Sequence, residues 1–130
     1  METKGTLLEA LGIKIVSVAA DKVVATMPVD ERTVQPFGYL HGGATAALLE
    51  TVASLGAIEN ADLETHLVFG VEICVRHKKS AREGVVTGTA TPLEMGADRQ
   101  VWEVATRNEA GDLLSEGTCT LRVVPRERVE

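Results

Sequence analysis

The sequence predicts an α+β domain in which one long helix meets five or six mostly antiparallel strands. Three observations carry that expectation. The proline-free stretch GGATAALLETVASLGAIE is rich in helix formers and long enough for about five turns. The segments on either side of it are β-branched and broken by short Gly, Asp and Asn turns. Across 130 residues there is no internal repeat, low-complexity tract or linker, so residues 1–130 read as one domain.

Residues 6–11 read as a short N-terminal helix, with Leu7, Leu8 and Leu11 at helical spacing and Gly12 as its stop. Residues 13–29 read as two extended runs, IKIVSV and KVVATMPV, separated by a turn at Ala19, Ala20 and Asp21. A loop over residues 30–40 carries Pro36 and Gly38 and leads into the helix Gly42–Glu59. Beyond it, VFGVEICVRHKK sets Val71, Ile73 and Val75 on one side against Glu72 and Arg76 on the other. GVVTGTATPLEM is β-branched and short-turned, and VWEVATR joins LLSEGTCTLRVV through the hairpin-length loop from Asn108 to Asp112. In that last strand Glu116, Thr118, Thr120 and Arg122 share one face, while Gly117, Cys119, Leu121 and Val123 share the other. The charged tail PRERVE is expected to fray.

Thirteen basic against nineteen acidic residues leave a net charge of -6, which repels a nucleic-acid duplex. Aromatic residues make up only 3% (Phe37, Tyr39, Phe69 and Trp102), too few for the stacked platform that single strands need. No apolar run reaches the ~18 residues of a membrane span, and the opening METKGTLLEALG has no signal-peptide pattern. Cys74 and Cys119 each lie in an apolar stretch and read as reduced, buried thiols. A soluble cytoplasmic protein is the expectation.

From Gly42 to Ile58 the helix carries one ionisable residue, Glu50. Surface helices carry a charged face, so this one is expected to be mostly enclosed. At 100° per residue, Gly43, Ala46, Ala47 and Ser54 fall on the side of Glu50, with Leu48, Val52 and Leu55 opposite. An enclosed carboxylate must be paired, protonated or useful. Arg76 or Lys78 could hold it in a structural salt bridge, or it could be a polar contact at a dimer seam. Where the helix begins, His41, Gly42 and Gly43 offer free N–H groups at the positive end of the dipole, suited to an anion or a developing oxyanion. Gln35, six residues before His41, could add an amide donor.

Gly42 and Glu50 are eight residues apart, about 12 Å along a helix. An oxyanion donor sits ~3 Å from its oxygen, with a catalytic carboxylate near the same carbonyl. The two therefore cannot easily meet on one carbonyl within one chain. Two antiparallel helices facing across a two-fold axis would bring the start of one beside Glu50 of the other.

At PFGYLHGGATAALLETVASLGA the sequence resembles the hotdog-fold acyl-CoA thioesterases. It is most similar to the branch of the phenylacetate-pathway, Arthrobacter-type 4-hydroxybenzoyl-CoA and dihydroxynaphthoyl-CoA thioesterases. The likeness continues through VEICVRHKKSAREG and covers residues 12–123. It implies a long central helix wrapped by a curved five- or six-stranded antiparallel sheet, self-association to a dimer or tetramer with active sites at the subunit interface, and hydrolysis of an acyl-CoA thioester. No metal and no bound cofactor are implied, since CoA is part of the substrate.

By the same resemblance Glu50 is the catalytic carboxylate, Gly42 supplies the N–H that polarises the thioester carbonyl, and His41 lies close to the thioester. Gln35 helps to orient carbonyl or water, and Ser54 assists one turn after Glu50. Glu50 and Ser54 would come from the opposite subunit to Gly42 and Gln35. Lys79, Ser80 and Arg82 stand where family members contact the nucleotide or its phosphates, and Gly96 and Arg99 are candidates for the pantetheine channel. A solvated hairpin end is the plain reading of each of these basic residues alone. Cys74, Val75 and Arg76 occupy a strand where relatives often carry amides, while His77 keeps a family position.

The implied reaction takes acyl-CoA and water to free acid and CoA, with Glu50 as general base or nucleophile. The resemblance points to an aromatic or aryl-like acyl group, with medium-chain aliphatic acyl-CoA second. Two other readings compete: a hotdog hydratase or dehydratase, whose His–carboxylate spacing is not found here, and a non-catalytic acyl-CoA or fatty-acid binding dimer. His41, His66 and His77 lack metal-ligand spacing, and no serine sits in a nucleophile elbow.

Overall fold

A computed structural model describes residues 2–129. The elements are α1 (Leu7–Leu11), β1 (Lys14–Ala19), β2 (Lys22–Pro28), α2 (Gly42–Glu59), β3 (His66–His77), β4 (Val85–Met95), β5 (Arg99–Arg107) and β6 (Leu113–Pro125), closed by a 3-10 turn at Arg126–Arg128. The six strands form one antiparallel sheet in the order β1-β2-β4-β5-β6-β3.

That order explains the helix. Its neighbours in sequence, β2 and β3, lie on opposite sides of the sheet, so the chain between them must cross the sheet face. α2 makes that crossing and packs against strands from every part of the sheet. Leu48, Leu49, Val52 and Ala53 are fully buried, against Val23, Ala25 and Met27 of β2, Ala90 of β4, and Trp102 of β5. Contact is close enough that a Cβ on Gly56 would lie 2.5 Å from the Trp102 ring, so a glycine lets the indole seat against the helix backbone. Burial of such side chains is worth ~1.5–3 kcal/mol each and fixes where the helix start and Glu50 sit.

Four expectations need correction. α2 is not enclosed on all sides: Glu50 is exposed, with Ala46, Ala47, Thr51 and Ser54 only half-buried around it. The strand reading of residues 68–79 missed a bulge between Gly70 and Glu72, which leaves Val71 58% exposed while Ile73 and Val75 stay half-buried. Cys119 is buried, but Cys74 is exposed on the edge strand β3; both thiols are free. The tail also differs from a frayed end, because the Arg126 N–H donates to Thr65 O at 3.0 Å and its Nε to Leu63 O at 2.8 Å.

Candidate active site

The start of a helix leaves four N–H groups without an intrahelical partner. At α2 three of them are satisfied. His41 N donates to Thr33 O at 2.8 Å, Gly43 N to His41 Nδ1 at 2.7 Å, and Ala44 N to His41 O at 3.0 Å. The Gly42 N–H has no hydrogen-bond partner among the described residues. It lies at the positive end of the helix dipole, available to an oxygen from outside the chain. His41 is therefore first a helix cap, holding Gly43 with one ring nitrogen.

Two further groups border this N–H. The His77 imidazole packs over Gly42, where a Cβ would lie 3.1 Å from Nε2. The Gln35 loop is folded on itself: Gln35 Oε1 accepts from Phe37 N at 2.5 Å and Tyr39 N at 3.5 Å. With the amide oxygen so engaged, Nε2 is the end free to donate. Leu40 N donates to Ala81 O at 2.8 Å and ties this loop to the segment before β4. Gln35, Gly42, Thr45, His77, Lys79 and Ser80 thus line one cavity of about 200 Å³.

Glu50 stands elsewhere. With Ser54 it lines a groove of about 460 Å³ along the open face of α2, which Leu7 and Leu8 of α1 also line. The salt-bridge reading fails: among the described residues Glu50 has no ion pair or hydrogen bond, and Lys78 pairs with Glu116 at 3.0 Å. Arg76 lines a different groove, with Cys74 and Glu116. The carboxylate rests instead against the backbone of Gly70, where a Cβ would lie 2.9 Å from Oε2. Its charge reaches Cys119: burial first, and Glu50 second, push that thiol up to about 12.

Of the basic candidates, Lys79 and Ser80 join the Gly42 cavity. The Lys79 ammonium is held 2.8 Å from Asp112 Oδ2, and with Asn108 it holds the Asp112 carboxyl below its ordinary range. Both partners are about half exposed, so the pair is worth little to stability. The Arg82 guanidinium lies 5.0 Å over the Tyr39 ring. Gly96 and Arg99 are not brought to this cavity within the chain. They flank the turn of the β4–β5 hairpin, at the far end of the 11-residue β4 from the segment that carries Ser80.

Two residues of the site have roles that the sequence reading did not assign. Gly70, a lone glycine in a β-branched strand, carries a general signal of a bulge or close approach. From the sequence His77 only keeps a family position, because nothing local links a strand end to a helix start 35 residues earlier. Among the described residues no three His, Cys, Asp or Glu side chains are grouped to hold a metal ion.

Residues 37–115, more than half of the chain, match the family model of the thioesterase superfamily. ComA2 of Bacillus subtilis, named as an esterase, is 48% identical over 126 residues, covering 97% of this chain and all of that one. The 1,4-dihydroxy-2-naphthoyl-CoA hydrolase of Listeria monocytogenes is 41% identical over 122 residues, 94% of this chain and 98% of its own length. In structure the chain is similar to a mutant thioesterase of Pseudomonas aeruginosa, with a TM-score of 0.92 at 32% identity over 95% of this chain and 88% of that one.

Proposed function

The chain belongs to the thioesterase superfamily and is an acyl-CoA thioester hydrolase of the hotdog fold; from that premise we propose that it hydrolyses aromatic or aryl-like acyl-CoA at sites shared by two copies of itself. The observation that carries the reading is the state of two groups on α2. The Gly42 N–H and the Glu50 carboxylate both lack partners among the described residues, yet eight helical residues, about 12 Å, separate them. A two-fold partner brings the Glu50 of one chain to the Gly42 of the other. The edge strand β3, 12 residues long with Phe69 44% and Val71 58% exposed, offers the surface on which such a copy seats.

In this site the thioester oxygen accepts from Gly42 N–H and Gln35 Nε2, so charge developing on it meets the helix dipole. Glu50 either takes a proton from the attacking water or attacks the carbonyl carbon itself, forming an anhydride that water then opens. On both routes the C–S bond breaks, CoA leaves as thiolate and takes up a proton, and the acid is released. Ser54 and His41 assist at the carbonyl. The His77 imidazole, which packs over Gly42, carries a proton to the leaving sulfur. Lys79, Ser80 and Arg82 receive the CoA phosphates, with Gly96 and Arg99 along the pantetheine when a further copy brings them near. No metal or bound cofactor enters these steps. The aromatic preference draws support from the 1,4-dihydroxy-2-naphthoyl-CoA hydrolase likeness. Two free thiols support a reducing, cytoplasmic setting.

Release of CoA, followed with a thiol reagent, tests this on benzoyl-, 4-hydroxybenzoyl-, phenylacetyl-, hexanoyl- and palmitoyl-CoA. Turnover should be fastest on the aryl thioesters. Glu50→Ala should lower it by about 10²–10⁴, the worth of a positioned base. Activity of that variant within tenfold of wild type would remove Glu50 from the chemistry. Binding of acyl-CoA without turnover by wild type would turn the reading to a binding dimer.

A further inference from the structure

The groove beside Glu50 has a wall that the catalytic reading does not use. Its floor is made of small residues of α2, among them Ala46 and Ala47, and it runs past Ser54 and Leu55 to Ile58. Ile58 is eight residues beyond Glu50, about 12 Å along the helix. The opposite wall is Leu7 and Leu8 of the five-residue helix α1.

α1 is held in place by three features. Leu8 and Leu11 pack against the core, and Gly12 caps the helix in a left-handed turn. Ile13 N then donates back to Leu8 O at 2.9 Å. The same geometry leaves Leu7 59% exposed, a large apolar side chain held at the lip of the groove.

The lining limits what can lie there. Among the described residues that line the groove, Glu50 is the only ionisable one. Of the hydroxyls, that of Thr51 is used on Ala47 O at 2.7 Å, which leaves Ser54. Among the described residues of one chain no cation lines the groove. The volume of about 460 Å³ falls within the range of ligand clefts, about 300–1,000 Å³.

We infer that the acyl group of the substrate lies in this groove between α1 and α2, and that Leu7 of α1, at its lip, is a specificity-determining residue for the length of that group. The inference rests on the placement of Glu50 at the thioester carbonyl: the group bonded to that carbon begins where Glu50 meets the groove. Leu7 is distant in sequence from every catalytic candidate and acts on the acyl group alone.

The test reads binding, so that it does not depend on turnover. Affinities of S-ethyl-CoA and S-hexyl-CoA, two thioethers that cannot be hydrolysed, are measured by calorimetry for wild type, Leu7→Ala, Leu7→Trp and Val16→Ala. Val16 is as exposed as Leu7, at 60%, and lines no part of the groove. Each buried CH₂ contributes about 0.8 kcal/mol, so wild type should bind the hexyl analogue at least tenfold tighter. Both Leu7 variants should change that hexyl-to-ethyl ratio by about fivefold or more, while Val16→Ala leaves it as it was. A wild-type ratio near one, or Leu7 variants within twofold of wild type, would overturn the inference and leave hydrolysis standing. Loss of CoA release would instead remove the hydrolysis reading, with this ratio still readable.

Discussion

The start of α2 and its middle lie on one helix, yet the chain finishes only one of them. Around Gly42 the loop, the cap and the strand end are tied by His41, Gln35 and the Leu40–Ala81 hydrogen bond, and one N–H is left over. Around Glu50 no polar group among the described residues answers the carboxylate, and the face is half open. A preorganised donor works without rearrangement at the moment of reaction. A carboxylate becomes a strong base only where water is excluded. The first half is built within the chain; the second needs a cover, which the two-fold copy proposed above would supply.

The sharpest way to break this comparison is to split the halves between chains. Glu50→Ala and Gln35→Ala are each expected to be poorly active alone. Co-expressed with different tags, they should form heterodimers in which one of the two sites is intact, so the mixed pool recovers about a quarter of wild-type CoA release. A mixed pool no more active than the mean of its parents would end the two-chain site.

A smaller effect sharpens the Glu50 half alone. Gly70→Ala places a Cβ 2.9 Å from Glu50 Oε2 and 3.0 Å from Cδ, so the carboxylate must move. A displacement of ~1 Å at a reacting group can cost up to about 10² in rate. We expect kcat to fall by about 10- to 100-fold, with KM and melting temperature little changed. A variant as active as wild type would mean that Gly70 does not seat the carboxylate.

How much of this was legible in the sequence follows the range of each interaction. The extent of α2 was readable because its helix-forming composition and lack of proline are local. The separation of Gly42 from Glu50 followed from helical rise, which needs no tertiary knowledge. The open face around Glu50 was misjudged, since a charge-free helix reads alike whether its cover comes from the same chain or another. The bulge at Val71 and the contact of His77 with Gly42 depend on how β3 pairs with β6 and where its end meets α2. That register is fixed by the whole sheet. The opposite-edge position of β3 was also out of reach, because consecutive strands in sequence more often pair.

The smallest effect probes the Glu50 charge without any turnover. The two thiols differ in surroundings, Cys74 exposed and Cys119 buried. A thiol reagent at about pH 8 should therefore modify one thiol per native chain and both after unfolding. For Cys119 the folded value of about 12 stands above its ordinary 9.0. Its contribution to stability is thus full below about pH 9 and is lost as pH rises toward 12, by at most about 1.4 kcal/mol per unit. Burial is the larger cause and the Glu50 carboxylate the lesser. Glu50→Gln keeps the shape and removes the charge, so it should lower the ionisation midpoint of Cys119 in part, with burial still holding it above 9.0. An unchanged midpoint would mean that water screens the carboxylate from the core.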